Sequence, residues 1–230
     1  ARAKEMNRLA KRATTKVDPD KAKLSLIDAA ERLMAENGIN GISLRKIVSE
    51  AGQGNSAALQ YHFGTRFDLV WAIIDLRTRP IDQSRRAMLE YAQADPKGMS
   101  VSQVARAMVM PLASSAVQNR GKEVYYVRFL ARIQSEPALI AQSVKHPNYG
   151  GLRECAYILH RIVPEIPKQV MNLRIRLALS AMFLEVAEIE REVCKPGAVP
   201  EVEKIEERIT NIVDSIAGML SAPVSETVRQ

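Results

Sequence analysis

Cysteines, aromatic residues and long apolar runs are all scarce in this chain. Only Cys155 and Cys194 occur, far apart and without C-x-x-C or Cys/His spacing, so neither a disulfide framework nor a zinc-ligand set is expected. Two such cysteines read as small buried hydrophobes. Aromatics are 5% of the residues, which favours helices over a β-sandwich. No apolar stretch approaches the roughly 18 residues of a membrane span, and nothing near the start reads as a signal-peptide core. A cytoplasmic protein with no membrane partner is expected. Catalytic patterns are missing too: there is no Gly-rich phosphate loop and no serine nucleophile elbow. A di-iron bundle needs Glu-x-x-His pairs, but Ser143 stands three positions before His146, and Tyr157 three before His160. No catalytic residue, metal or cofactor is therefore expected, and the chain does not read as an enzyme.

What is present is an excess of positive charge, +7 over 230 residues. Much of it sits at the start. Arg2, Lys4, Arg8, Lys11, Arg12 and Lys16 face Glu5 alone, so residues 1–18 read as a basic, disordered arm. Such an arm suits phosphate neutralisation and equally suits a solvated tail.

Beyond the arm every segment reads as helix. Asp18 caps a first helix, Pro19 suits its first turn, and Leu24, Ile27, Ala30 and Met34 recur at helical spacing until Gly38 stops it. Ser43 caps a short second helix carrying Leu44, Ile47 and Val48, which Gly52 ends. Gln53-Gly54-Asn55 reads as a turn before a third helix through Phe63. Thr65 then caps a fourth, which holds Phe67, Leu69, Val70, Trp71, Ile73 and Ile74. Two short helices across a glycine-containing turn, braced by a preceding helix, make a helix-turn-helix. Past Pro80 helical segments are expected near 82–94, 100–118, 121–135, 150–163, 167–194 and 200–221, with a kink at Pro111. The last segment spaces Val202, Ile205, Ile209, Ile212, Ile216 and Met219 by 3, 4, 3, 4 and 3. Val170, Leu173, Leu177, Ala181 and Leu184 line one stripe of the segment before it. The pair either closes a monomer's core or, with a second copy, forms a four-helix dimer interface. The fold class is all-α. The expected domains are a three-helix helix-turn-helix domain over 19–66, a helical ligand-binding and dimerisation domain over 67–221, and a C-terminal tail over 222–230.

Residues 24–74 resemble the DNA-binding domain of the TetR family of transcriptional regulators. The resemblance rests on the helix Leu26-Ile27-Asp28-Ala29-Ala30-Glu31-Arg32-Leu33, the Asn37-Gly38 stop, and Ser43-Leu44-Arg45-Lys46-Ile47. It also rests on Ala51-Gly52 and on Tyr61-His62-Phe63-Gly64-Thr65-Arg66 followed by Leu69. It covers about a fifth of the chain. The turn at Gln53-Gly54-Asn55 is a residue longer than the commoner Gly-Val-Ser type, and Arg66 replaces the usual lysine.

The motif's physics agrees with that resemblance. A helix entering a major groove roughly 12 Å wide must be slim, and Ala57 and Ala58 meet this demand. Asn55, Ser56 and Gln60 offer hydrogen-bonding groups to base edges, and Arg45 suits a guanine. Ser43 at one helix N-terminus, and Thr65 with Arg66 at another, suit backbone phosphates. The resemblance adds phosphate contacts for Tyr61 and His62, while Leu59 and Phe63 pack inward. It also implies a homodimer on a (pseudo)palindromic double-stranded operator, with half-sites one helical turn apart. It further implies a small-molecule effector held between residues 82 and 194 that releases the repressor from DNA. Candidate pocket residues are Met108, Met110, Tyr125, Phe129, Tyr157, His160 and Phe183, and the composition suggests an apolar or amphipathic ligand. Each of these residues also reads as ordinary core or surface. A DNA-binding protein controlled by a protein partner, with no effector, remains the alternative.

Overall fold

The computed structural model describes residues 19–53, 57–96, 98–143 and 147–226. The basic arm and the centre of the turn before the third helix, with Asn55 and Ser56, lie outside the described residues. Ten helices follow one another in the described residues, with no strand among them. They are α1 (Pro19–Asn37), α2 (Leu44–Glu50), α3 (Ala57–Phe63), α4 (Arg66–Gln93) and α5 (Val101–Gln118). Then come α6 (Tyr126–Ile133), α7 (Pro137–Ser143), a 3-10 turn (Pro147–Tyr149), α8 (Gly150–Ile162), α9 (Lys168–Val193) and α10 (Val202–Ser221).

Helices α1 to α3 and the start of α4 share one small apolar centre of Leu26, Ala30, Met34, Ile47, Leu59, Leu69 and Ile73, all essentially inaccessible. Leu59 and Phe63 point inward as the resemblance implies, whereas Leu24 lies on the surface. Gly38 ends α1 at φ +86°, its N–H donating to Met34 at 2.9 Å. That backbone region carries a steric cost for most side chains. The cap expected at Thr65 is a full capping box: its Oγ1 accepts from the Asp68 N–H, and the Asp68 carboxylate accepts from the Thr65 N–H.

Three features differ from the sequence reading. First, α4 does not break near Pro80 but runs through it for 28 residues. Pro80 lies on the solvent side, so the donor it lacks leaves no buried group unpaired. Second, the region expected as one helix over 121–135 starts as a turn and irregular backbone through Tyr125 before α6, and a further short helix, α7, begins at Pro137. Third, residues 222–226 are not a free tail. Arg174 Nη1 donates to the Ala222 carbonyl and Nη2 to that of Pro223 at 3.2 Å, and Val224 is buried.

The seam on α10 also needs correcting. Ile205, Ile209, Ile212 and Ile216 turn into the protomer's own core, where α10 packs on α5 and α9. The reason is α5, which buries Val104, Ala105, Met108, Val109, Leu112, Ala113 and Ala116 and needs a cover. Each isoleucine so buried contributes about 1.5–3 kcal/mol. Leu173, Leu177 and Leu184 on α9 and Val202 on α10 stay exposed, while Val170 and Met219 are half-buried.

Buried charges tie the larger helices together. Glu190 of α9 is fully buried, and its carboxylate accepts from the N–H groups of Val127 (2.8 Å) and Arg128 (3.0 Å) and from Arg128 Nε (3.1 Å). It thereby caps the N-terminus of α6 from another helix, where Tyr125 offers no side-chain cap. Burial nonetheless pushes the Glu190 carboxyl above its usual pKa, against those hydrogen bonds. Asp82 does the same for α8, accepting from the Gly151 N–H at 3.0 Å and pairing with Arg85 and Arg86. A Cβ on Gly151 would lie 2.6 Å from Asp82 Oδ1, so this approach needs glycine. Glu190→Ala leaves the α6 amides and Arg128 unpaired and should cost about 3–5 kcal/mol in urea unfolding. Glu190→Gln, keeping one acceptor, should cost less. A loss under about 1 kcal/mol for Glu190→Ala would show that α6 does not need this cap.

Candidate nucleic-acid interface

Helix α2 starts where Ser43 supplies its Oγ to the Lys46 N–H at 3.2 Å. The serine is thus both a cap and an exposed hydroxyl beside the helix's free amides. Arg45 is exposed, with no ion pair among the described residues. Gly52 leaves α2 at φ +68°, and Gln53 closes the exit by donating its N–H to Val48 at 3.0 Å and its Nε2 to Ser25 at 3.3 Å. Helix α3 then begins at Ala57 and presents Gln60 and Tyr61 outward. Tyr61 is 84% exposed, its ring meeting that of His62 and its hydroxyl open to solvent. His62 is half-buried, edge-on to Tyr61 at 5.1 Å and tilted against Phe63 at 6.1 Å between ring centroids.

The structure thus brings Ser43, Arg45, Gln60, Tyr61, His62 and Thr65 onto the α2–α3–α4 unit, all accessible at least in part. Arg66 has a structural role. It is half-buried, and its Nη1 donates to the Ile39 carbonyl at 2.8 Å, tying α4 to the loop after α1. Lys46 is engaged too. It pairs with Glu50 at 2.7 Å, and Glu50 also receives Arg32 at 2.7 Å. The hydrogen bonds from Lys46 and Arg32 hold the Glu50 carboxyl below its usual pKa.

The candidate pocket residues do not converge. Met108 and Phe129 are solid core, Met110 is half-buried, and Tyr157 is exposed. Tyr125 instead borders an open, charged cleft of about 770 Å³ between the reading head and the larger domain, together with Asp28, Glu31, Arg32, Glu50 and Arg77. His160 pairs with Asn172 at 3.0 Å. Phe183 alone lines the largely apolar cavity of about 490 Å³, with Ile133, Ile140, Tyr149, Leu152, Ala156, Ile175 and Leu179. Sequence reasoning missed these aliphatics because spacing at i and i+3 or i+4 marks a buried face without saying whether it faces a void.

It also missed the junction between the two parts. Helix α6, which supplies Ile133 to that cavity, packs along α1 on its other side. There Arg132 Nε donates to the Ala35 carbonyl at 3.0 Å, and Asn40 reaches Glu136 at 3.1 Å. Arg77 of α4 bridges Asp28 (2.6 Å) and Glu31 (2.7 Å) on α1. Burial raises the Glu31 carboxyl's pKa even though Arg77 pulls it down.

Comparison with known proteins decides the identity. Residues 26–73 match the family model described as bacterial regulatory proteins, tetR family, and residues 106–219 match the tetracyclin repressor-like C-terminal domain. The chain belongs to the TetR family and is a DNA-binding transcriptional regulator. A structure of a TetR-family transcription regulator from Shewanella sp. PV-4 shares the fold, with TM-score 0.53 and 17% identity over 84% of this chain and 97% of that one. The transcriptional regulatory protein RHA5900 does so at TM-score 0.50 and 17% identity, over 87% and 100%. No curated protein matches the chain significantly.

For this TetR-family chain the Glu50 triad makes a testable prediction. Glu50→Gln should free Lys46 for phosphate, raising affinity for any duplex and steepening the dependence of log K on log salt by up to about one. An unchanged slope in fluorescence-anisotropy titrations would place Lys46 away from the DNA backbone. Arg66→Ala should weaken binding on all sequences and also lower the unfolding midpoint, because it removes the tie to Ile39. Unchanged stability would leave Arg66 with the phosphate role alone.

Proposed function

We propose that the chain is a homodimeric repressor that a small amphipathic molecule releases from a (pseudo)palindromic operator. In this reading α3 enters the major groove, Gln60 and Arg45 read base edges, and Ser43, Tyr61, His62, Thr65 and Arg66 hold the backbone. The apolar cavity among α6 to α9 receives the effector. At about 490 Å³ it falls within the usual range for small-molecule sites, roughly 300–1,000 Å³.

The observation that carries the proposal is the position of α6. Its C-terminal end lines the cavity while Arg132 on the same turn is bonded to the backbone of α1. A ligand that spreads α6 from α9 therefore moves α1, and with it the reading head. Such a ligand must bind the non-operator conformer better, by about 1–3 kcal/mol for a typical coupling. The exposed apolar stripe of Leu173, Leu177 and Leu184 supports dimerisation through α9, beside the α9–α10 groove that Met219 borders.

Selecting genomic fragments bound by the protein should return a short palindrome with half-sites about 10 base pairs apart. Fragments without a shared motif would remove the sequence-specific role. Leu177→Glu with Leu184→Glu should yield folded monomers of weak operator affinity in analytical ultracentrifugation. Ile209→Glu should unfold the protomer instead. Dimers surviving the α9 pair would exclude this face as the interface.

A further inference from the structure

Helix α7 meets the apolar cavity on one side and the reading head at both ends. It has seven residues, too few to hold a helix by themselves, so its place is set by what it touches. Leu139 is wholly buried, and Ile140 lines the cavity. The helix begins on Glu136, whose carbonyl accepts from the N–H groups of Leu139 at 3.0 Å and Ile140 at 3.1 Å.

Two side chains carry it to the head. At its start, both carboxylate oxygens of Glu136 accept from Asn40 Nδ2 at 3.1 Å. Asn40 stands in the loop after α1, beside Ile39, whose carbonyl Arg66 also holds. Towards its end, Gln142 Oε1 accepts from the Trp71 indole N–H at 3.0 Å. Trp71 lies in the second turn of α4. The two grips therefore fall on different elements of the head, with the cavity-lining Ile140 between them. Their partners are 96 and 71 residues away along the chain, so neither contact is a by-product of local geometry.

We infer that α7 is a strap carrying the state of the cavity to the reading head, with Glu136 and Gln142 as positioning residues that act on DNA binding through Asn40 and Trp71. The inference rests on the cavity being the effector site of a dimeric repressor, and adds a route by which occupancy is felt. An occupant pressing on Ile140 displaces the short helix as a unit, and the displacement reaches both hydrogen bonds. Each joins side chains at least partly open to solvent and is of modest net strength, so each breaks and re-forms over a small movement. The Arg132 contact with α1 belongs to α6 and is a separate link.

Fluorescence anisotropy on two duplexes tests it, one carrying the selected palindrome and one a single half-site. Glu136→Ala with Gln142→Ala should weaken palindrome binding about tenfold and change half-site binding by less than about twofold, because each head stays folded but is no longer held at one angle. Loss of one carboxylate acts on both duplexes alike, so the ratio of the two affinities is the readout. Glu136→Gln with Gln142→Glu keeps both acceptors and the net charge, and should restore the native ratio. Ile140→Trp, which drives an indole into the cavity, should reproduce the loss, and adding it to the alanine pair should cost nothing further. Leu179→Trp fills the same space from α9 and takes its place if Ile140→Trp does not fold. A native ratio in the alanine pair, or one that the Gln and Glu exchange fails to restore, overturns the strap. So does a cavity-filling loss that is absent or that adds in full to the alanine pair. A native chain that binds the palindrome no tighter than the half-site removes the dimeric-operator reading instead. Circular dichroism melts confirm that each variant is folded before it is scored.

Discussion

Glu190 holds a position on which the architecture turns. It is a carboxylate with essentially no solvent access, set in α9 and bonded to the first amides of α6 and to Arg128. Helix α6 has only eight residues, too few to be stable alone. It lacks a side-chain cap of its own, and it is the element that touches both the cavity and α1. The long helix α9 thus sets the place and angle of the short one. A buried acid is a weak source of net stability, but it specifies geometry, since few other placements of α6 bring three donors to the carboxylate in a dry interior. Asp82 repeats the device for α8. Both cavity walls are therefore positioned by carboxylates held in other helices.

How much of this was legible in the sequence differs between the two parts. In the reading head, local chemistry and final structure agree: Ser43 and Thr65 cap, Gly38, Gly52 and Gly64 take positive φ, and Leu59 and Phe63 face inward. Those features depend on neighbours three or four residues away, so one-dimensional spacing carries them. The larger domain depends on partners far apart in the chain. Glu190 acts on residues 62 and 63 positions away, and Arg77 on residues 46 and 49 away. No periodicity encodes such pairings. The α10 seam shows the same gap. A 3-4 repeat records that one face is covered, and it is silent on whether the cover is the protomer's own α5 or a second chain. The α9 stripe, less regular in sequence, is the one left exposed.

Charge is distributed in keeping with DNA binding at the reading head. The reading head keeps Arg45 exposed and holds Lys46 close to Glu50, so its attraction for phosphate is moderated. Under the proposed effector-released repression, modest non-specific affinity is an advantage, because the coupling an effector can supply is only a few kcal/mol. The junction uses ion pairs on a partly wet face, where Arg77 meets Asp28 and Glu31. The exposed Asp28 contact re-forms at little cost, whereas the pair with the buried Glu31 holds the junction firmly.

Helix α4 has a mechanical property that follows from Pro80. Because that residue has no N–H, the Leu76 carbonyl loses its usual partner one turn back, and the rod is most compliant there. On one side Arg77 rivets the rod to α1; on the other Asp82 and Arg85 rivet it to α5 and α8. Strain arriving from either body is thus concentrated at a single turn rather than spread over 28 residues. The segment beyond it, about 20 Å from Pro80 to Arg66 at 1.5 Å per residue, works as a pointer, so a bend of a few degrees at the proline becomes a displacement of an ångström or two at the reading head.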